Sequence, residues 1–406
     1  MSTGTRELLW QPYEALNFSN PYPMYKRLRE TEPAYKAQTG EWILTKYEDV
    51  LRVLKDPTCK VGNRLEWIKK GVEYFQNKDE DLSAIYQAIN NFVLFLNPPE
   101  HQAIKQFVRQ AWKYKDVEEI IENNIHELIR SFKAKQQINL VDDYAQALPI
   151  LTISKILGID ASDYHFLKSN GIAMIKALDL YVSHKDLVQM NEAAKAFISF
   201  FRKVIRQKEK KPGNDLITSI IQLNRQNTLQ LSEEALISIC IFLFIAGEET
   251  TASLIATGIF NLLKHPEIYQ SLSLQPELRK KIIEELLRYD PPVQLLGRIS
   301  TTEMIIGDKK ILPEDTLTLV IAAANRDPDI FEQPDEFIIN RQFGRHITFG
   351  SGIHYCLGDW LGRMQGEMAI SIFCKTFPMA QLIDTIPEWN NNLAIKSLKK
   401  LSLILR

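Results

Sequence analysis

One cysteine stands in a setting suited to chemistry. The stretch Phe349-Gly-Ser-Gly-Ile-His-Tyr-Cys-Leu-Gly358 places Cys356 among glycines. It is followed by Leu357–Met368, whose pattern predicts an amphipathic helix. A thiolate that binds a metal within a large flat group needs a backbone that can come close, and Gly350, Gly352 and Gly358 permit that. Its charge must be stabilised, and N–H groups at a helix start do so. It must be sheltered from water, which Phe349 can do by packing beside the sulfur. His354 is placed to reach an anionic edge of the bound group. The competing account is a Gly-rich turn with an incidental buried thiol, which the full ten-residue pattern disfavours. Cys59, Cys240 and Cys374 lack such a context and are expected to be core or surface thiols. No CxxC pair suggests a zinc site or a disulfide framework.

A second constellation lies on Leu236–Leu263, predicted as one long helix, apolar nearly all round and running through the protein centre. Its middle is Ala246-Gly-Glu-Glu-Thr-Thr251. At about 100° per residue, Glu249 and Thr250 flank the face of Ala246. Phe242 and Leu243 come one turn earlier, and Glu248 points nearly the opposite way. Ala246 and Gly247 leave room for a ligand or a locally opened helix, and Thr250 can hydrogen-bond into that gap. An acid beside a hydroxyl can relay protons into a dry pocket. A Gly-kinked helix with a solvent-facing Glu pair is the other account of these residues. Glu285-Leu-Leu-Arg288 places opposite charges on one helix face, which alone suggests only a surface ion pair.

Together these segments resemble the cytochrome P450 superfamily, of the soluble bacterial type. FGSGIHYCLG matches the haem-binding signature FGxGxHxCxG at every fixed position, and AGEETT matches AGx(D/E)T. Glu285 and Arg288 match the ExxR helix. Asn325-Arg-Asp-Pro328 and Pro334-Asp-Glu-Phe337 match further stretches in the expected order. The resemblance runs from Asn20-Pro-Tyr-Pro-Met-Tyr to the C-terminal end. It implies haem b (iron protoporphyrin IX) with Cys356 as axial ligand, and Ala246, Phe349 and Gly358 beside the cofactor. It also implies His101, Arg298 and His354 at the propionates, and Thr250 with Glu249 as the proton-delivery pair. Glu285–Arg288 becomes a structural ion pair supporting the cysteine loop. Lys105 stands where an HxxxR pattern has arginine, which keeps the charge and loses the planar fork. Glu336 stands where an arginine often completes the ExxR network, with Arg326 and Arg341 as candidate substitutes.

The elements that position these residues follow from periodicity and turn residues. The first fifty residues predict a helix at Tyr22–Thr31, short strands at Ala34–Lys36 and Glu41–Thr45, and a helix at Tyr47–Leu54. Residues 60–95 are expected to be irregular and aromatic. Pro98 and Pro99 open a helix to about Trp112, and helical spacing continues to about residue 270. It breaks at 208–215, where Asp215 is expected to cap the next helix. Short strands are expected over 297–321, and Leu393–Leu405 suggests a closing hairpin. The expected fold is mainly α with a small β-rich side, one domain over 1–406, with the long helix over the haem.

The chain has 406 residues, 45% hydrophobic and 24% charged, with net charge −1. That balance gives no case for nucleic acid or an anionic membrane. The start is polar, and the apolar run Leu236–Gly247 is too short to span a bilayer. A cytoplasmic monomer without a membrane anchor is expected. The resemblance implies a monooxygenase that acts on an apolar small molecule, such as a fatty acid, terpenoid, steroid or polyketide. Electrons would come from a ferredoxin or flavodoxin with its NAD(P)H reductase, docking near Lys105, Arg109, Lys113, Arg345 and Arg363. A peroxide-using or non-oxygenating haem-thiolate enzyme is the alternative, and a haem sensor a further one. Candidate pocket residues are Trp67, Phe92, Leu94, Phe242, Leu243, Leu295 and Leu296, under a lid that includes Gly171–Met190.

Overall fold

The structure is a computed structural model. It describes residues 9–62, 64–76, 80–112, 116–179, 182–226, 229–342 and 345–405; the side chains at 64, 67, 76, 273 and 276 are outside that description. Lys113, Leu180, Tyr181 and the side chain of Trp67 therefore lie outside the described residues. The chain forms two compact units. One comprises residues 1–62, 284–355 and 389–396, and the other 63–283, 356–388 and 397–406.

The larger unit is helical and is organised on Glu233–Leu263. Ser232 caps this helix by accepting from the Ala235 N–H. Its length and hydropathy match a membrane span. Here it instead packs against the helices Ser83–Ile89, Ala147–Leu157, His184–Lys210 and Asp359–Thr376. An all-round apolar helix must find such a buried setting. Asp215 caps Leu216–Gln226 by accepting from the Thr218 N–H at 2.8 Å, as its position before the helix predicts.

Two expectations are corrected in this unit. Residues 60–95 hold the helices Arg64–Gln76 and Ser83–Ile89 and the 3-10 turn Val93–Phe95. Ile68 and Val72 bury one face of the first, while Glu66–Lys70 at 3.0 Å and Lys69–Glu73 at 3.9 Å decorate the other. Aromatic residues and Gly71 mask that period in the sequence. The C-terminal segment is no hairpin either. Ser402–Ile404 follows Leu398–Lys400 after one residue, too short for the chain to turn back. It pairs antiparallel with Gln137–Asn139 and Gln381–Leu382 instead.

The smaller unit carries a five-stranded sheet in the order Ala34–Lys36, Trp42–Leu44, Thr316–Val320, Leu295–Ser300, Cys59–Lys60. Trp42 lies opposite Leu317 in a parallel pair, and Leu295 opposite Val320 in an antiparallel one. One apolar cluster packs Leu44, Val50, Leu54, Leu317, Leu319 and Phe331 together. This core fixes the sheet on which Arg298 sits.

Candidate active site around Cys356

The helix Arg279–Tyr289 delivers Glu285 and Arg288 into the smaller unit, and neither side chain reaches solvent. Arg288 Nε donates to Glu285 Oε2 and Nη2 to Oε1, each at 2.7 Å. Nη1 donates to the carbonyls of Asn325 and Pro334, and Nη2 also to that of Glu336. Arg341 fills the open place in this network, donating from Nε to Glu285 Oε1 at 3.3 Å. Arg326 does something else. It stacks between the rings of Tyr22 and Tyr289 and donates to the Tyr289 carbonyl. Glu336 contributes its backbone carbonyl to the network.

The network passes directly to the cysteine loop. Asn325, whose carbonyl accepts from Arg288, receives the Ile347 N–H on its own side-chain oxygen at 2.9 Å. Its Nδ2 donates to Thr348 Oγ1, and that hydroxyl donates to the Leu287 carbonyl at 2.6 Å. The backbone entering Phe349 is thus tied to the ExxR helix. Further on, Gly352 has φ +69°, and a Cβ there would sit 2.6 Å from the Leu54 carbonyl. Only glycine fits that approach. His354 ends the 3-10 turn Gly352–His354 and is partly exposed.

Arg298, on the sheet, is 4% exposed and donates to the Gly297 carbonyl at 2.7 Å. Burial lowers its pKa to about 10, opposed by Cys59. It has no carboxylate partner among the described residues. A dry guanidinium in that state is suited to an incoming anion.

The larger unit carries the thiol. Cys59, Cys240 and Cys374 are buried, whereas Cys356 is solvent-accessible. Its surroundings are nevertheless dense enough that desolvation leads its pKa upward. The Gly358 N–H, Lys105 and Arg363 pull the other way, and Asp359 adds to the rise. Burial raises the thiols of Cys59 to about 11 and Cys240 to about 12.

The helix Glu100–Ala111 presents His101 and Lys105 one turn apart, 1% and 8% exposed. Burial, then Arg109, lowers Lys105 to about 8, while Cys356 opposes the shift. This buried lysine is no surface docking group. Arg363 is held by Asp359 at 2.7 Å, and Arg109 and Arg345 are exposed.

On the central helix, between Ala235 and Leu262, the only partly accessible residues are Phe242, Ala246, Gly247, Glu249 and Thr250. They form one stripe at helical spacing on an otherwise dry rod. Thr250 Oγ1 donates to the Ala246 carbonyl at 3.2 Å. Burial raises the Glu249 pKa, opposed by a hydrogen bond with Ser397, a partner with no signal in the sequence. Glu248 faces away and is buried, as its helical phase predicts.

The candidate pocket residues divide. Phe242, Leu94 and Leu296 are partly accessible. Leu243 and Leu295 are buried. Phe92 has no accessible surface and packs behind Phe242, ring to ring at 5.3 Å. Among the described residues no group of three or more His, Cys, Asp or Glu could cage a metal ion.

Comparison with known proteins gives the same assignment. A sequence model of the family Cytochrome P450 matches residues 152–281 and 274–400. The chain is 32% identical to the biotin biosynthesis cytochrome P450 of Bacillus subtilis, over 91% of this chain and 92% of that one. It is 30% identical to the polyketide biosynthesis cytochrome P450 PksS of the same organism, over 98% and 99%. The crystal structure of P450BioI in complex with acyl carrier protein carrying hexadec-9Z-enoic acid superposes with TM-score 0.86 at 28% identity, covering 96% and 98% of the two chains. With its cysteine loop, acid–hydroxyl stripe and buried ExxR fork in place, the chain belongs to the cytochrome P450 family.

Proposed function

We propose that this monooxygenase inserts one oxygen atom of O2 into a C–H or C=C bond of an apolar acyl or polyketide-type substrate. Two electrons would come from a separate ferredoxin or flavodoxin with its NAD(P)H reductase. The other oxygen atom leaves as water, so each turnover also consumes two protons. The observation that carries this reading is the stripe Phe242–Ala246–Glu249–Thr250, which combines an apolar wall with a proton-carrying pair on one dry helix. The relatives named for biotin and polyketide biosynthesis support the substrate class.

Haem is the cofactor of this family, and the residues present fit it. Cys356 offers one accessible sulfur whose thiolate is favoured by the Gly358 N–H, Lys105 and Arg363. Arg298 offers a buried cation suited to a propionate. When bound, the haem supplies thiolate-tuned iron chemistry that favours O–O cleavage. Cys356 would hold the iron, with the Gly358 N–H favouring its thiolate, and Phe349 would stand beside the cofactor. His101, Lys105, Arg298 and His354 would take the propionates. Glu249, its pKa raised by burial, keeps a proton at higher pH than an exposed carboxyl does. Thr250 passes that proton inward from its hydroxyl. Phe242 and Leu94 would exclude water from the reacting face. The enzyme is proposed to be a cytoplasmic monomer.

The test has two arms. A difference-absorbance screen of fatty acids, acyl carrier protein conjugates and polyketides against the ferric protein identifies ligands by a low- to high-spin shift. Turnover with reduced ferredoxin and reductase is then compared with turnover on peroxide. Product from peroxide alone, with none from the donor chain, would favour the peroxide-using alternative.

A further inference from the structure

Glu248 is the buried carboxyl on the central helix that proton delivery leaves unused. It is 2% exposed, and its Oε1 has no hydrogen-bond partner among the described residues. An unsatisfied buried polar atom is destabilising, and more so if it is charged. The helix Tyr164–Met174 closes over it. Gly171 of that helix lies against Glu248 Oε2, where any Cβ would collide, and Phe244 lies 3.2 Å from the same point. Phe244 packs against Phe197, ring centroids 5.7 Å apart, which keeps that side of the seam apolar.

The charged groups facing this seam are few. Tyr164 and Lys168 lie on the covering helix, and Glu249 follows on the central one. Lys168 is engaged elsewhere, its Nζ 2.9 Å from Asp142 Oδ1. Burial, then Glu249, pushes the Glu248 carboxyl well above the usual carboxylate range, and Lys168 opposes the shift. Burial, then Glu248 and Asp142, pushes the Tyr164 hydroxyl to about 12.

We propose that Glu248 is a proton-operated latch: its neutral carboxyl seats Gly171 and holds the Tyr164–Met174 helix on the central helix, and its ionisation opens the seam. Below the ordinary carboxylate pKa the group is neutral whether the seam is closed or open, so the latch is at full strength. Above that value only the open form is ionised, and the latch weakens as pH rises towards the closed-state pKa.

The experiment is hydrogen exchange of amides in residues 167–174 of the haem-loaded protein, read as protection factors from pH 5 to pH 9. In the wild type, protection should fall as pH rises above the ordinary carboxylate range, by up to about tenfold per pH unit for opening linked to one proton. Glu248→Gln should remove the slope and keep the low-pH protection. Glu248→Met, which cannot ionise, should remove the slope as well. Gly171→Ala should lower protection already at pH 5. A flat wild-type profile, or the wild-type slope persisting in both Glu248 variants, would overturn the proposal.

Discussion

Arg288 and Glu285 meet as a two-bonded fork, both bonds 2.7 Å, with both side chains excluded from solvent. Burying two charges is costly, and close pairing alone seldom offsets it. Here the remaining hydrogen-bonding groups are also engaged. Three carbonyls accept from Arg288, and Glu285 Oε1 receives both the Ile338 N–H and Arg341.

Removing one partner therefore strands a buried charge. Arg288→Ala is expected to cost about 3–5 kcal/mol, with loss of haem on purification because the backbone before Phe349 loses its anchor. Arg341→Ala should cost less, about 1–3 kcal/mol, since the fork stays intact. Denaturant titration and haem content measure both, and equal losses would contradict this ordering.

Only one of the four thiols should matter to the haem spectrum. Cys356→Ser is expected to abolish the red-shifted Soret band of the reduced carbon monoxide complex. Cys374→Ser should leave the band in place, because that thiol is enclosed in the core.

The stripe on the central helix predicts a split between electron use and product. Thr250→Ala and Glu249→Gln should lower product formation by about a hundredfold, within the range for a positioned proton donor. Consumption of NAD(P)H should fall much less, the difference being recovered as peroxide.

Asp290 gives the fold an acid limit. Burial raises its pKa, but Lys396 at 2.8 Å, the Tyr22 hydroxyl at 2.6 Å and Arg326 outweigh that and hold it below the ordinary value. Its stabilisation is present above the unfolded carboxylate pKa and is lost as pH falls through the depressed one. Lys396→Met should cost about 3–5 kcal/mol at neutral pH and flatten the acid limb of the stability curve.

Electron-donor docking should respond to Arg109, which is exposed, and not to Lys105, which is buried. Arg109→Glu is expected to slow first-electron transfer by about tenfold at low salt, with the difference shrinking at high salt. An unchanged rate at both salts would remove this helix from the docking surface.

The residues nearest the chemistry were legible in the sequence because local rules constrain them. A thiol before a helix start needs glycines at fixed offsets, and Glu249 and Thr250, three and four residues after Ala246, flank its face wherever the helix lies. The same rule set Glu248 apart from Thr250. Helical periodicity also placed Tyr22–Thr31 and the central helix, while the aromatic residues of Arg64–Gln76 obscured theirs. What remained depended on contacts distant in sequence. Arg341 and Arg326 were equivalent candidates until folding brought one to Glu285 and the other between two tyrosine rings. Ser397 meets Glu249 from far along the chain, and Gly171 seals Glu248 from another helix. Local pattern was enough to name the residues proposed to hold an iron and to move a proton. Which of them are dry, and what each one touches, came from the folded chain, because burial and long-range partners are set by packing and by no local pattern.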